Sequence, residues 1–334
     1  GEELLDLGGD LLLPGFVDVH IHAFKGMDTM QGEEAVRHMS RELKKVGVAA
    51  FLPTTMSASP EDTVKALAGV KAVMERPEPD GAIVLGAHME APFLAEAKAG
   101  AQLKQYFADP NEENWQRYTC GLESVVRLIT MAPERAGAME FISALTKKGI
   151  TVSIGHTTAD AETTHAAAEA GATHVTHTFN AQTPLNHRAP GVPGAALVDD
   201  RLQCEVISDG IHLHPDIVKL IIRTKGKEKL VAITDAMEAA GMPDGQYQLG
   251  GQEVFVHEGA ARLKDGTLAG STLTMVRAFQ NLMRFGATPE EAALMTTKTP
   301  ALSIGNEELG EIELGAPAIF SRFDENYAFK GTVG

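Results

Sequence analysis

Short apolar runs and helix-like stretches alternate along most of this chain. The runs cover positions 16–23, 48–55, 83–93, 125–133, 150–157, 174–181, 203–212 and 230–236. A strand packed on both faces reads as a near-continuous apolar run rather than a strict alternation. The stretches between them read as helices. Ser59, Pro60, Glu61 and Asp62 supply an N-cap, a first-turn proline and acidic residues ahead of 64–74. The stretch 159–170 runs into Gly171, a stop signal. Ile217, Val218, Ile221 and Ile222 form a helical stripe within 215–224. Eight strand–helix units in succession predict an α/β fold, a parallel (β/α)8 TIM barrel, over 14–304.

The two ends follow a different pattern. Positions 1–13 read as a strand, a Gly8-Gly9 turn and a second short strand. So few strands make no stable sheet alone, so they need partners. The alternating stretches 311–314, 318–323 and 327–329 are the natural ones. Together, 1–13 and 305–334 are expected to form a small β-sandwich domain.

A parallel barrel carries its chemistry at the carboxyl ends of its strands. The first run ends in His20 and His22, which share one face of a strand. The third carries His88 and Glu90, the fifth ends at His156, and the sixth holds His177 before Asn180 and Ala181. The seventh ends in Asp209 and His212, the eighth in Asp235. One such histidine would pass for a satisfied core residue; the whole set at one face points to a metal. Glu90, His156 and His177 offer a carboxylate and two imidazoles to Zn²⁺ or Fe²⁺. His20 and His22 could form a second site, with Glu90 bridging. Asp235 is placed to take a proton from a metal-bound water and return it to a leaving group. His174, at the start of its run, reads as structural, and His88 as support for Glu90. His38 and His165 fall on helices facing water, His257 in a hairpin-like insertion, and His187 on the surface. Arg188 sits in the Pro- and Gly-rich loop 180–194, suited to a phosphate or to a surface ion pair.

Composition narrows the partners. The net charge of −16 argues against nucleic acid and anionic membranes, and an anionic substrate would need a local basic clamp. No run approaches the length of a membrane span and no secretory leader is visible. Cys120 and Cys204 have no paired spacing and read as reduced thiols of a cytoplasmic protein.

The motifs taken together resemble the amidohydrolase superfamily, and within it the N-acetylglucosamine-6-phosphate deacetylases. They are Pro14-Gly-Phe-Val-Asp-Val-His-Ile-His22, His88-Met-Glu-Ala-Pro-Phe93, Ser153-Ile-Gly-His156, Thr176-His-Thr-Phe-Asn-Ala181, Arg188 with Pro190-Gly191, Ser208-Asp-Gly-Ile-His212, Thr234-Asp-Ala-Met-Glu-Ala-Ala-Gly241 and Leu268-Ala-Gly-Ser-Thr-Leu-Thr-Met275. The resemblance implies one or two divalent metals, most simply zinc, held by Glu90, His156 and His177 with His20 and His22 at a second position. It makes Asp235 the general base and then acid in removing acetyl from a phosphorylated amino sugar. It assigns Asn180, Ala181 and His212 to the sugar phosphate, and Leu268, Ala269 and Gly270 to the acetyl and sugar pocket. Ala101 and Gln102 lie on the substrate loop after Glu90, with Gln102 where some members place a carbonyl-polarising histidine. Arg188 is implied to reach the substrate phosphate of a neighbouring subunit in a homodimer. Two other readings stand beside this one. A cyclic amidohydrolase would bridge its metals through a carboxylated lysine ending the fourth strand, where this chain has Thr130, Met131, Ala132 and Pro133. A metal-free, non-catalytic barrel would have no use for Glu90, His156, His177 and Asp235 together.

Overall fold

In a computed structural model, which describes residues 6–334, eight parallel strands surround a packed core. In order they are Phe16–Ile21, Val48–Thr55, Ala87–Met89, Val126–Met131, Thr151–Ile154, His174–Val175, Gln203–Ile207 and Leu230–Ile233. Each pairs in parallel with the next along the sheet. The ring closes between the last and first strands. Asp235 N–H donates to His20 O at 2.8 Å, His22 N–H to Ala236 O at 3.0 Å, and Ile21 bridges Ala236.

The predicted runs therefore stand as strands, though several are shorter than the apolar run. The third is interrupted: Ile83–Val84 pairs with the second strand before Ala87–Met89 resumes. Gly86 lies in the break at φ 147°, and a Cβ there would come within 2.3 Å of Arg127 Cγ. The sixth strand ends at Val175, and the rest of its run turns into a loop.

The helices start where the side chains dictate. Ser59 accepts a hydrogen bond from Asp62 N–H and caps helix Pro60–Glu75. Asp160 caps Ala161–Ala170, which ends at a left-handed Gly171. Pro215–Lys229 buries Val218, Ile221 and Ile222 against the barrel.

The chain ends meet in a three-stranded antiparallel sheet ordered Leu11–Pro14, Phe320–Phe323, Phe329–Val333. Phe323 packs edge-on to Phe16 and against Phe279, which ties this sheet to the barrel floor. The strand expected before the Gly8-Gly9 turn lies largely outside the described residues. The strand expected over 311–314 does not form: Ile312 and Leu314 project into solvent, so no packing repays ordering them in a sheet. A second antiparallel sheet, Gly245–Leu249, Gln252–His257 and Ala260–Arg262, is inserted after the eighth strand. Its inner face packs Leu249, Val254 and Ala261 on Met56, Met237 and Ala269, beside the open end of the barrel. Among the described residues no helix is long and apolar enough to cross a membrane.

Candidate metal centre and active site

The polar strand ends converge on a cavity of about 330 Å³ at the carboxyl end of the barrel. Several of them leave their strands through left-handed backbone: His156 has φ 46°, His177 φ 27°, Ala181 φ 51° and Asp235 φ 50°. Non-glycine residues hold that conformation only where their surroundings demand it, and such strain gathers at functional sites. Here it turns each side chain off the strand and into the cavity.

Two groups of donors form the floor. In one, His156 Nε2 and His177 Nε2 each lie 3.1 Å from Glu90 Oε1. In the other, His22 Nε2 lies 3.2 Å and His20 Nε2 3.5 Å from Asp235 Oδ1. Glu90 stands between them, its Oε2 3.1 Å from His22 Nε2. In each group the ligand atoms fall within 4.8 Å of one another.

The far side of each ring decides whether the set suits a metal. His156 Nδ1 donates to Lys98 O at 2.8 Å, His22 Nδ1 to Thr54 O at 3.2 Å, and His20 Nδ1 to Glu205 Oε2 at 3.0 Å. Those acceptors keep the proton on Nδ1 and leave Nε2 as a lone pair. Yet Nε2 of His156 and of His177 are 3.1 Å apart, and those of His20 and His22 3.4 Å. Lone pairs aimed at one another so closely need a cation between them, which fits metal ligation with the opposite nitrogen anchored. His177 Nδ1 is buried without a partner, so its ring is oriented by packing alone.

Charge agrees with the geometry. Burial alone would raise the Glu90 carboxyl, but His20, His156 and His177 hold it well below the usual carboxylate range. Burial also works against Asp235, and His20 and His22 still keep it ionised. With no ion present a proton on His20 supplies the positive charge instead: Glu90, Asp235 and Glu205 overcome its burial and push its imidazole up to about 9. Buried carboxylates in this number need positive charge at their centre.

The walls can be read residue by residue. Ala101, Asn180, Ala181, His212, Leu268 and Gly270 line the cavity. His212 donates its Nδ1 proton to Asp209 Oδ2 at 2.6 Å. Ala269 does not line it: its side chain is buried beneath the inserted sheet, because alternation turns it away between Leu268 and Gly270. Gln102 is present but engaged. Its Oε1 accepts from Ser57 N–H at 2.7 Å, so its amide nitrogen is directed at Glu90 Oε2, 2.5 Å away. Arg188 lies on the exposed loop outside the cavity, with Nη1 2.7 Å from His187 Nε2. Among the described residues no carboxylate reaches it, so the surface ion pair does not form within this chain.

His174 is structural, with Nδ1 3.3 Å from Glu205 Oε1, and His88 bonds Thr130 Oγ1 at 2.8 Å. His165 pairs with Asp199 at 2.8 Å. His38 departs from the solvated reading: its Nε2 is buried without a partner.

Three residues escaped the sequence reading. Lys98 lines the cavity, a basic residue in an acidic chain. Asp18 accepts from Thr234 Oγ1 at 2.5 Å, joining the first strand to the eighth. Glu205 lies fully buried beneath His20. Both acids carried a signal, each the lone carboxylate inside a largely apolar strand.

A parallel barrel with two buried donor clusters and an ionised aspartate at its carboxyl end defines a metal-dependent hydrolase. The chain belongs to the amidohydrolase family, whose model matches residues 11–331, and within it to the N-acetylglucosamine-6-phosphate deacetylases. It is 37% identical to the N-acetylglucosamine-6-phosphate deacetylase of Lysinibacillus sphaericus, over 100% of this chain and 86% of that protein. It is equally 37% identical to an N-acetylgalactosamine-6-phosphate deacetylase of Escherichia coli O157:H7, over 92% of this chain and 82% of that one. A solved structure of an aspartate-to-alanine variant of the Mycobacterium smegmatis N-acetyl-D-glucosamine-6-phosphate deacetylase, in complex with N-acetyl-D-glucosamine 6-phosphate, superimposes with a TM-score of 0.91 and 32% identity. It covers 97% of this chain and 85% of that one.

Proposed function

We propose that this chain hydrolyses the acetamide of N-acetyl-D-glucosamine 6-phosphate, giving D-glucosamine 6-phosphate and acetate. The observation that carries this reading is the cavity floor. Glu90, His156 and His177 face His20, His22 and Asp235 there, in a chain whose relatives bear that name. When bound, a divalent cation would polarise the amide carbonyl and lower the pKa of water towards ~7. Glu90, His156 and His177 would hold the first ion, and His20, His22 and Asp235, with Glu90 between, a second. Imidazole with carboxylate suits Zn²⁺ first and Fe²⁺ second.

Asp235, kept ionised by the histidines beside it, accepts the proton of the attacking water on its carboxylate. It then returns that proton to the departing amine, otherwise a poor leaving group. Gln102 steadies Glu90, which leaves the sugar to Lys98, Asn180, Ala181 and His212. The barrel segment 14–304 carries all of these groups.

We further take the protein to be a cytoplasmic homodimer in which Arg188 reaches the phosphate bound by the neighbouring copy. Its exposed loop, the absence of a carboxylate partner among the described residues, and the exposed Leu185 on the same loop support that reading. Two unpaired cysteines suit a reducing compartment.

The test is metal analysis of the purified protein with an acetate-release assay. The substrates are N-acetylglucosamine 6-phosphate, its C4 epimer and the unphosphorylated sugar. Stoichiometric metal and preference for the phosphorylated gluco-sugar are expected. Protein free of divalent metal yet active would overturn the mechanism, and preference for the epimer would reassign the substrate.

A further inference from the structure

One buried acid has no part in the reaction just described. Glu205, on the seventh strand, has no exposed surface. Its carboxylate collects three protons, one from the first strand and two from the sixth strand and the loop after it. His20 Nδ1 lies 3.0 Å from Oε2, His174 Nδ1 3.3 Å from Oε1, and the backbone N–H of His177 3.2 Å from Oε2. A carboxylate only accepts, so every group facing it must donate.

We propose that Glu205 is the positioning residue of the second cluster: it fixes the proton of His20 on Nδ1 and thereby presents Nε2 to the metal shared with His22 and Asp235. The other imidazoles do not depend on it in this way. His22 and His156 are set by the carbonyls of Thr54 and Lys98, which mutation of a side chain leaves in place. His20 has no backbone acceptor for its Nδ1, so its orientation rests on one side chain. Outer partners of this kind typically change metal affinity about 10–100-fold.

The proposal rests on the two-cluster reading, and the experiment separates them. Metal-free wild-type protein is first titrated with Zn²⁺ against a chromophoric chelator; fewer than two sites would sink the two-cluster reading alone. The His20 tautomer is then read in the Zn²⁺-loaded protein by long-range ¹H–¹⁵N correlation of its ring. A proton kept on Nδ1 with Nε2 bare is expected, and a proton on Nε2 overturns the role of Glu205. Glu205→Ala is expected to lose affinity at the His20 site by about 10–100-fold and less at the other, where only the His177 N–H loses an acceptor. Glu205→Gln should recover most of it. Its amide oxygen can stand at the Oε2 position for His20 and His177, while its amide nitrogen faces His174, which can move its proton to the unpartnered Nε2. Equal loss at both sites, or no difference between the alanine and glutamine variants, overturns the proposal. Should the alanine variant not fold, the wild-type tautomer and the glutamine variant still decide it.

Discussion

Asp235 must stay charged while almost wholly removed from water, and it does so because His20 and His22 stand at 3.5 Å and 3.2 Å. Replacing it with asparagine keeps shape and hydrogen bonding but removes the proton acceptor. Asp235→Asn should retain the fold and the ion held by Glu90, His156 and His177, and lose kcat by roughly 10³ or more. Activity within about tenfold of wild type would place the base elsewhere. Far from the site, Glu42 receives Lys25 at 2.8 Å and Lys45 at 2.5 Å, and these partners lower its carboxyl from 4.5 to about 2. A lowered folded-state value stabilises above the unfolded value and is lost as pH falls through the folded one. Glu42→Gln should therefore cost under about 1 kcal/mol at pH 7, a surface-pair magnitude. The gap from wild type in urea unfolding should narrow as pH drops from 4.5 towards 2. At this scale the sequence was most informative where a side chain ends a strand, as with His22, Glu90, His156 and Asp235. It was least informative where meaning depends on a distant neighbour. Glu205 in a strand is an oddity until His20 and His174 fold over it, and Gln102 is a free donor until Ser57 N–H claims its oxygen.

Among the elements, strands and helices were legible because burial on both faces and capping chemistry leave local marks. Lengths and breaks were not, because they answer to tertiary contacts. The sixth run reads as eight residues of strand, yet His177, Phe179 and Ala181 take left-handed angles to aim the site. The stretch 311–314 alternates like a strand and finds nothing to pair with. Gly69 shows how packing reverses a local rule. In the middle of helix Pro60–Glu75, alanine would ordinarily stabilise by about 1 kcal/mol. A Cβ at this position would lie 2.5 Å from Glu33 N and 2.7 Å from Gly32 C, both backbone atoms that start the neighbouring helix. Gly69→Ala should therefore destabilise by about 1–3 kcal/mol. A thermal midpoint equal to or above wild type would show that the two helices can separate freely.

For the whole molecule, the overall charge of −16 repels a phosphorylated sugar, so binding must rest on local cations. Lys98 is the one that lines the cavity; Arg188 would have to come from a second copy. Arg188→Ala should raise KM for the phosphorylated sugar at least tenfold and leave the unphosphorylated one little changed. Equal effects on both sugars, or a monomer by sedimentation with full activity, would remove that role. The barrel itself was readable from eight repeats of one pattern. The join between chain ends was readable only as a need for partners, since nothing local in Leu11–Pro14 names Phe320–Phe323.

The seam that closes the ring has one more consequence. His20 and His22 lie on the first strand and Asp235 just beyond the eighth, and the same residues that close the backbone ring make up the second donor cluster. Glu90, His156 and His177, by contrast, belong to strands three, five and six and precede the eighth strand in the chain. A ribosome delivers these parts in order. The first cluster can assemble while the barrel is still an open sheet, whereas the second comes into being only when the last strand docks. Metal uptake should therefore be ordered in time, and an ion in the later site would act as a clasp across the last gap to shut. Hydrogen exchange at Ile21, His22, Asp235 and Ala236 should slow sharply on loading, more than at any other strand pair.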